Sequence, residues 1–261
     1  MNQIINQTES AKEQYATSQK LSTRISIHEK YSVNKQGFGN WILSHYNIRS
    51  GAKLLELGCG TGSMWVGHED MIQKCSRFVL SDFSAGMLQT AQEALKDIED
   101  IEYQVIDIQN IPFPDDSFDI VIANMMLYHV PNLAKGLSEV RRVLKKGGTF
   151  YCATYGENGI IEYLTDLFQD YAISKHAAEP FTLQNGEPKL RSVFPVVERL
   201  LYEDSLAVTD VEDLVDYIYS LTDMTELSRL SRDTVRTVLQ DHMQNGVLRV
   251  PKDYGMFISH G

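Results

Sequence analysis

The stretch that most constrains this chain is Lys53-Leu54-Leu55-Glu56-Leu57 followed by Gly58-Cys59-Gly60-Thr61-Gly62. An apolar run this short reads as a strand buried on both faces, the environment of strands in a parallel sheet covered by helices. Glycine at three alternate positions then removes the side chains from the turn. Positive φ costs little there, and main-chain N–H groups can approach a bound ligand. Glu56 sets the sign of the turn. A carboxylate at the strand end discourages a pyrophosphate and favours a ligand carrying an ammonium or hydroxyl groups. The dinucleotide fingerprint G-x-G-x-x-G requires glycine where this chain has Ser63.

A second strand is expected at Arg77 to Leu80, ending at Asp82, twenty positions after Gly62. That is near the spacing at which nucleotide folds place a ribose-binding carboxylate, whose two oxygens accept from both ribose hydroxyls. Ser84 caps the next helix, and Phe83 and Met87 stand where apolar side chains can sandwich an aromatic base.

Glu56-x-Gly58-x-Gly60-x-Gly62 after an apolar strand, with Asp82-Phe83-Ser84-x-x-Met87, resembles the first two signatures of class I S-adenosylmethionine-dependent methyltransferases. The resemblance covers roughly the first 155 residues. It implies a doubly wound, Rossmann-like α/β fold of seven strands, the last antiparallel. It also implies a helical N-terminal cap and a lid inserted after the fifth strand. The cofactor would be S-adenosylmethionine, leaving as S-adenosylhomocysteine, and the reaction S_N2 transfer of its methyl group to a small-molecule acceptor. Glu56, Gly58, Cys59 and Gly60 would hold the methionine part, and Asp82 the ribose. Phe83, Met87, Asp107 and Ile108 would hold the adenine, and Asn124 and Tyr31 would close the site near the sulfonium. Tyr15, Tyr128 and Tyr155 would face the acceptor. Two other classes stay open: a silent cofactor-binding subunit on the same fold, and a nicotinamide-dependent oxidoreductase.

The third strand, Glu102 to Ile106, leads to Asp107-Ile108, and Ile111 to Asp119 brings two prolines that exclude a helix before the strand Ile120 to Ala123. Asn124 to Val130 then arrives at the same sheet edge as the glycine turn if the sheet is parallel. His129 is the candidate base, since a neutral imidazole accepts a proton near pH 7; its alternative is a structural role. Helices are expected at Ser63 to Lys74, Pro131 to Leu144, Glu157 to Tyr171, Val211 to Ser220 and Thr225 to Gln244. A further helix capped by Thr182 must contend with Pro188. The fifth strand is expected at Thr149 to Thr154 and the last at Tyr254 to Ser259, and Val196 to Leu201 with Ser205 to Val208 are expected as a strand with a bulge or turn at Tyr202 to Asp204. The expected division is a cap at residues 1–46 and a methyltransferase domain at 47–261, with the lid at about 156–192. Tyr31 and His28 serve equally well as packing residues of the cap.

A formal charge of -11 and no basic run argue against nucleic acid as a partner. The polar start, Met1 to Lys20, lacks the apolar segment of a signal peptide. No run approaches the roughly 18 apolar residues of a membrane span, so a soluble cytoplasmic protein is expected. Cys59, Cys75 and Cys152 are widely spaced, which suggests neither a disulfide framework nor a metal site. Oligomeric state is not legible.

Overall fold

A computed structural model describes residues 18–171, 173, 180–221 and 225–261. The expected arm with Tyr15, and part of the expected lid, lie outside the described residues. The chain forms two compact units. The first is Trp41–Thr154 with Pro180–Leu200 and Gly255–Gly261. The second takes the residues up to Asn40, Tyr155–Glu179 and Leu201–Tyr254. The boundary thus falls earlier than residue 46, and residues 201–254 fold with the N-terminal helix.

The sheet unit is built on β1 (Ala52–Leu57), β2 (Cys75–Asp82), β3 (Ile101–Val105), β4 (Phe118–Ile122), β5 (Leu144–Tyr155), β6 (Val196–Tyr202) and the chain-terminal strand Tyr254–His260. Their order is β3-β2-β1-β4-β5, then the terminal strand, then β6. The pairs β1/β2, β1/β4, β2/β3 and β4/β5 are parallel, whereas the terminal strand is antiparallel. Continuous apolar text in β1 and β4 follows from burial on both faces: Leu54, Leu55, Val121 and Ile122 have no exposed surface. Strand order reverses at β1, which has β2 on one side and β4 on the other. Open α/β sheets place ligands in the crevice beyond the strand ends at such a reversal.

The expected helix Ser63 to Lys74 is absent. The chain makes a single 3₁₀ turn, Ser63–Trp65, and then a four-residue helix, Glu69–Ile72. Between them Gly67 adopts φ 79°, a left-handed conformation that ends helical winding. No long helix dipole is therefore aimed at the glycine turn. Elsewhere in this unit a helix Ala85–Ala94 is capped by Ser84 as expected, and the helix Leu133–Val143 is capped by Asn132. Thr182 and Asn185 exchange hydrogen bonds ahead of a short helix, Gly186–Arg191. Pro188 is its third residue, where the missing N–H is not needed.

The helical unit contains α1 (Ser18–Tyr31), α2 (Ile160–Leu167), α3 (Val211–Ser220) and α4 (Arg232–Asp241). Its core gathers Ile27, Leu164, Phe168, Leu214, Ile218 and Leu239. The long helix expected from Thr225 is broken: a 3₁₀ turn, Glu226–Arg229, precedes α4, which Ser231 caps afresh. Asp210 caps α3. The segment after Tyr202 is a separate strand, β7 (Ser205–Val208), and it pairs antiparallel with β8 (Leu248–Pro251), which sequence reading missed. The terminal strand is hereafter β9.

Candidate functional site

Three left-handed glycines shape the turn after β1: Gly58, Gly60 and Gly62 have φ of 73°, 57° and 70°. A Cβ on Gly58 would lie 2.9 Å from Met126 Cγ, and one on Gly62 would lie 3.0 Å from Ala91 Cβ. Both are therefore glycine for packing as well as conformation. Gly60 meets nothing within 4 Å, so its backbone faces open space. The turn is tied to β2 by Cys59 N–H donating to the Ser81 carbonyl at 2.8 Å and by Ser81 Oγ donating to the Glu56 carbonyl at 2.7 Å. Burial pushes the Cys59 thiol far up, which leaves it a packing residue and no nucleophile.

Glu56 points into the protein and is 3% exposed. Its Oε2 accepts from Trp65 Nε1 at 2.5 Å. Trp65 is sealed, edge-on to Phe78 at 4.8 Å and stacked near Tyr46 at 6.2 Å. Burial pushes the Glu56 carboxyl up to about 7; the Trp65 hydrogen bond holds part of this back, and the Asp82 charge adds to it. Among the described residues no cation pairs with Glu56.

Asp82 ends β2 and closes the other side of the turn. Its Oδ2 accepts from Gly60 N–H at 2.9 Å and its Oδ1 from Ser84 N–H at 2.8 Å. Each oxygen keeps a lone pair for a ligand hydroxyl. Burial raises this carboxyl, and the N–H groups of Ser84 and Gly60 restrain the rise. Phe83 beside it is 40% exposed, an apolar ring presented outward, while Met87 is buried.

Asp107 folds over a compact turn, accepting from Gln109 N–H at 2.8 Å and from Gln109 Nε2 at 3.1 Å. Ile108 departs from expectation: its side chain joins the core near Gly136, so the backbone at this turn, not the side chain, is what a ligand would meet.

Asn124 is a strut. Its Nδ2 donates to Tyr46 Oη at 2.6 Å and approaches Met64 Sδ at 3.6 Å, and its Oδ1 accepts from Ala153 N–H at 3.1 Å. Met125 next to it has φ 52°, a left-handed bend that is uncommon outside glycine and is fixed by its N–H on the Ala153 carbonyl. Tyr46, Trp65 and Asn124 thus form an aromatic and polar wall around Glu56, and sequence reading found only Asn124. The available signal was an aromatic just ahead of the strand and a tryptophan three residues beyond the last glycine. Tyr128 and His129 lie in the next 3₁₀ turn, half-buried, with ring centroids 4.4 Å apart.

Tyr31 does not fit the role implied for it. It is buried in the core of the helical unit, and its hydroxyl is bonded to the Asp213 carboxylate on α3. Tyr155 closes β5 and belongs to the same unit. Among the described residues no group of His, Cys, Asp and Glu is arranged to hold a metal ion, and no helix is long and apolar enough to cross a membrane.

Residues 55–152 match the family model described as a methyltransferase domain. The demethylmenaquinone methyltransferase of Staphylococcus saprophyticus is 32% identical over 133 residues, which cover 51% of this chain and 55% of that protein. The chain therefore spans about half the length of such curated relatives. The YcgJ protein of Bacillus subtilis superposes with a TM-score of 0.56 at 17% identity, covering 85% of this chain and 97% of that one. A phosphoethanolamine N-methyltransferase of Haemonchus contortus, solved with S-adenosylhomocysteine, gives a TM-score of 0.52 at 18% identity, covering 86% of this chain and 52% of that one. These two likenesses concern the fold. With the glycine turn, its two flanking carboxylates and the sheet order already in place, the match shows a methyltransferase domain at residues 55–152, similar to those of the class I S-adenosylmethionine-dependent methyltransferases.

Proposed function

We propose that this protein transfers the methyl group of S-adenosylmethionine to a small-molecule acceptor. The observation that carries the reading is the pair of carboxylates on either side of an open glycine turn, with Glu56 buried and paired with no cation among the described residues. A ligand bringing an ammonium group and ribose hydroxyls completes both. Gly60, whose backbone faces open space, leaves room for such a ligand.

The cofactor supplies a methyl group on sulfonium, already a good leaving group. The protein's work is then orientation and exclusion of water, which at best contributes several kcal/mol, about 7 or more. Asp82 accepts the ribose hydroxyls while Gly60 and Ser84 hold its carboxylate in place. Phe83 would cover an adenine face, and the Asp107 turn would serve the ring's edge. Glu56 offers its charge to the cationic end of the ligand, and Trp65, Tyr46 and Asn124 keep that carboxylate from water. His129 remains the candidate base; it is not required by this division of labour. The acceptor is proposed to be a small molecule; one relative is named for a quinone, demethylmenaquinone.

The reading is tested by titrating S-adenosylmethionine calorimetrically into wild-type protein and Asp82→Ala. Loss of two hydrogen bonds to a charged group predicts at least about a hundredfold weaker binding in the variant. Equal binding by both proteins would refute the assignment of Asp82.

A further inference from the structure

Beside Glu56 the sheet unit holds a second polar group with unspent hydrogen-bonding capacity, the Tyr46 hydroxyl. Its Oη accepts from Asn124 Nδ2 at 2.6 Å, and the direction of that bond is fixed. Asn124 Oδ1 already accepts from Ala153 N–H at 3.1 Å, so the amide must turn its NH₂ toward Tyr46. An amide NH₂ donates and does not accept. Tyr46 therefore keeps its own proton, and no described residue takes it. Burial, then the Glu56 charge, push the phenol well up, so it stays a donor at neutral pH.

The ring is held in place. Tyr46 N–H donates to the Leu43 carbonyl at 3.1 Å, and Tyr151 packs against the ring with centroids 4.8 Å apart. Tyr151 is itself fixed by Asn47 N–H at 3.1 Å. Asn124 and Met64, which meet at this hydroxyl, are only half-buried, so Oη lies at the inner edge of the wall rather than behind it. Glu56 supplies the complementary half: Trp65 Nε1 occupies Oε2, whereas Oε1 is neither bonded nor sealed. Polar groups withdrawn from water are normally bonded, and those that are not call for a reason. A charged acceptor and a polarity-locked donor thus stand in one wall. An amine answers only the first; an ammonium and a carboxylate on the same carbon answer both.

We propose that Tyr46 is a specificity-determining residue for the methyl donor: its hydroxyl, oriented by Asn124, donates to the carboxylate of the ligand's amino-acid end while Glu56 Oε1 receives the ammonium. The site thereby takes the zwitterion and discriminates against the same molecule lacking its carboxylate. This inference rests on the methyl-transfer reading and deepens it.

The test is calorimetric titration of S-adenosylmethionine and of decarboxylated S-adenosylmethionine into the full chain, wild type and Tyr46→Phe. S-adenosylmethionine is expected to bind the variant roughly tenfold or more weakly, the range of one hydrogen bond to a charged group. The decarboxylated compound, which lacks the partner of that bond, is expected to change by less than about twofold. Unchanged S-adenosylmethionine affinity in Tyr46→Phe, or an equal loss for both compounds, overturns the proposal. Should Tyr46→Phe not fold, a crystal structure of the wild type with S-adenosylhomocysteine decides: Oη is expected within about 3.2 Å of a carboxylate oxygen, and a separation beyond about 4 Å overturns the assignment. Wild-type protein that binds neither compound would overturn the methyl-transfer reading and this inference with it, whereas wild-type binding without a ligand-specific loss in Tyr46→Phe overturns the role of Tyr46 alone.

Discussion

Each unit of this protein buries a carboxylate, and the two are treated in opposite ways. Asp204, in the helical unit, accepts from Lys252 Nζ at 2.5 Å, from Asn34 N–H at 2.9 Å and from Ser205 N–H at 2.8 Å. Burial pushes this carboxyl up, but Lys252 and the N–H of Asn34 outweigh burial, and it lies below the usual carboxylate range. Glu56, in the sheet unit, has one neutral donor, Trp65, and burial leaves it at about 7. A buried ion needs compensation, from a partner or from a shifted pKa. Asp204 finds its partner within the chain. Glu56 finds none among the described residues, and it is the carboxylate that lies against the open glycine turn. The comparison teaches that the residue with an unanswered charge marks the binding site, and the answered one holds the fold.

The comparison breaks most visibly if its structural half is wrong. Asp204→Asn leaves Lys252 buried without its counter-ion and is expected to destabilise the protein by about 3–5 kcal/mol. The check is urea unfolding followed by far-ultraviolet circular dichroism. A loss below about 1 kcal/mol would mean that the pair is a dispensable contact.

The opposite outcome is expected of Glu56→Gln in ligand-free protein. A carboxyl raised on folding from its unfolded value near 4.5 to about 7 favours the folded state only while protonated. That contribution is whole below about pH 4 and drains away as pH rises through about 7. The neutral amide does not suffer this loss, so at pH 8 the variant is expected to be more stable than wild type by about 3 kcal/mol, and near pH 4 no more stable. Equal pH dependence in the two proteins would place Glu56 in a better-compensated setting than its geometry indicates.

Gly58→Ala is a smaller perturbation of the same site. Its Cβ would meet Met126 and would have to adopt φ 73°, a conformation costing roughly 1–2 kcal/mol for a residue other than glycine. Gly60→Ala incurs the backbone cost alone, so Gly58→Ala should show the larger drop in melting temperature. The reverse order would relocate the tight contact.

The legible parts of the molecule are those in which the main chain itself dictates the residue. Gly58, Gly60 and Gly62 announce positive φ, the strand they follow announces burial on both faces, and Asp82 is placed by the strand it ends. Contacts made across long separations were not legible. Tyr46 reaches Asn124 over 78 positions and Lys252 reaches Asp204 over 48, and nothing local in either segment encodes the meeting. Local punctuation was also misread. Gly67 stops the helix expected after the glycine turn, and Leu248–Pro251 is a four-residue strand whose alternation is too brief to stand out beside a proline. Tyr31 had the right chemistry for a cofactor cover, and it is spent on Asp213 in its own unit's core.

The central claim, that Glu56 waits for a cationic ligand, is tested most directly by the pH dependence of S-adenosylmethionine affinity between pH 5.5 and 7. Protonated Glu56 must release its proton to answer the ligand's charge, so binding is predicted to tighten toward about tenfold per pH unit in wild type and to stay flat in Glu56→Gln. A flat profile in wild type, or the same slope in both proteins, would contradict it.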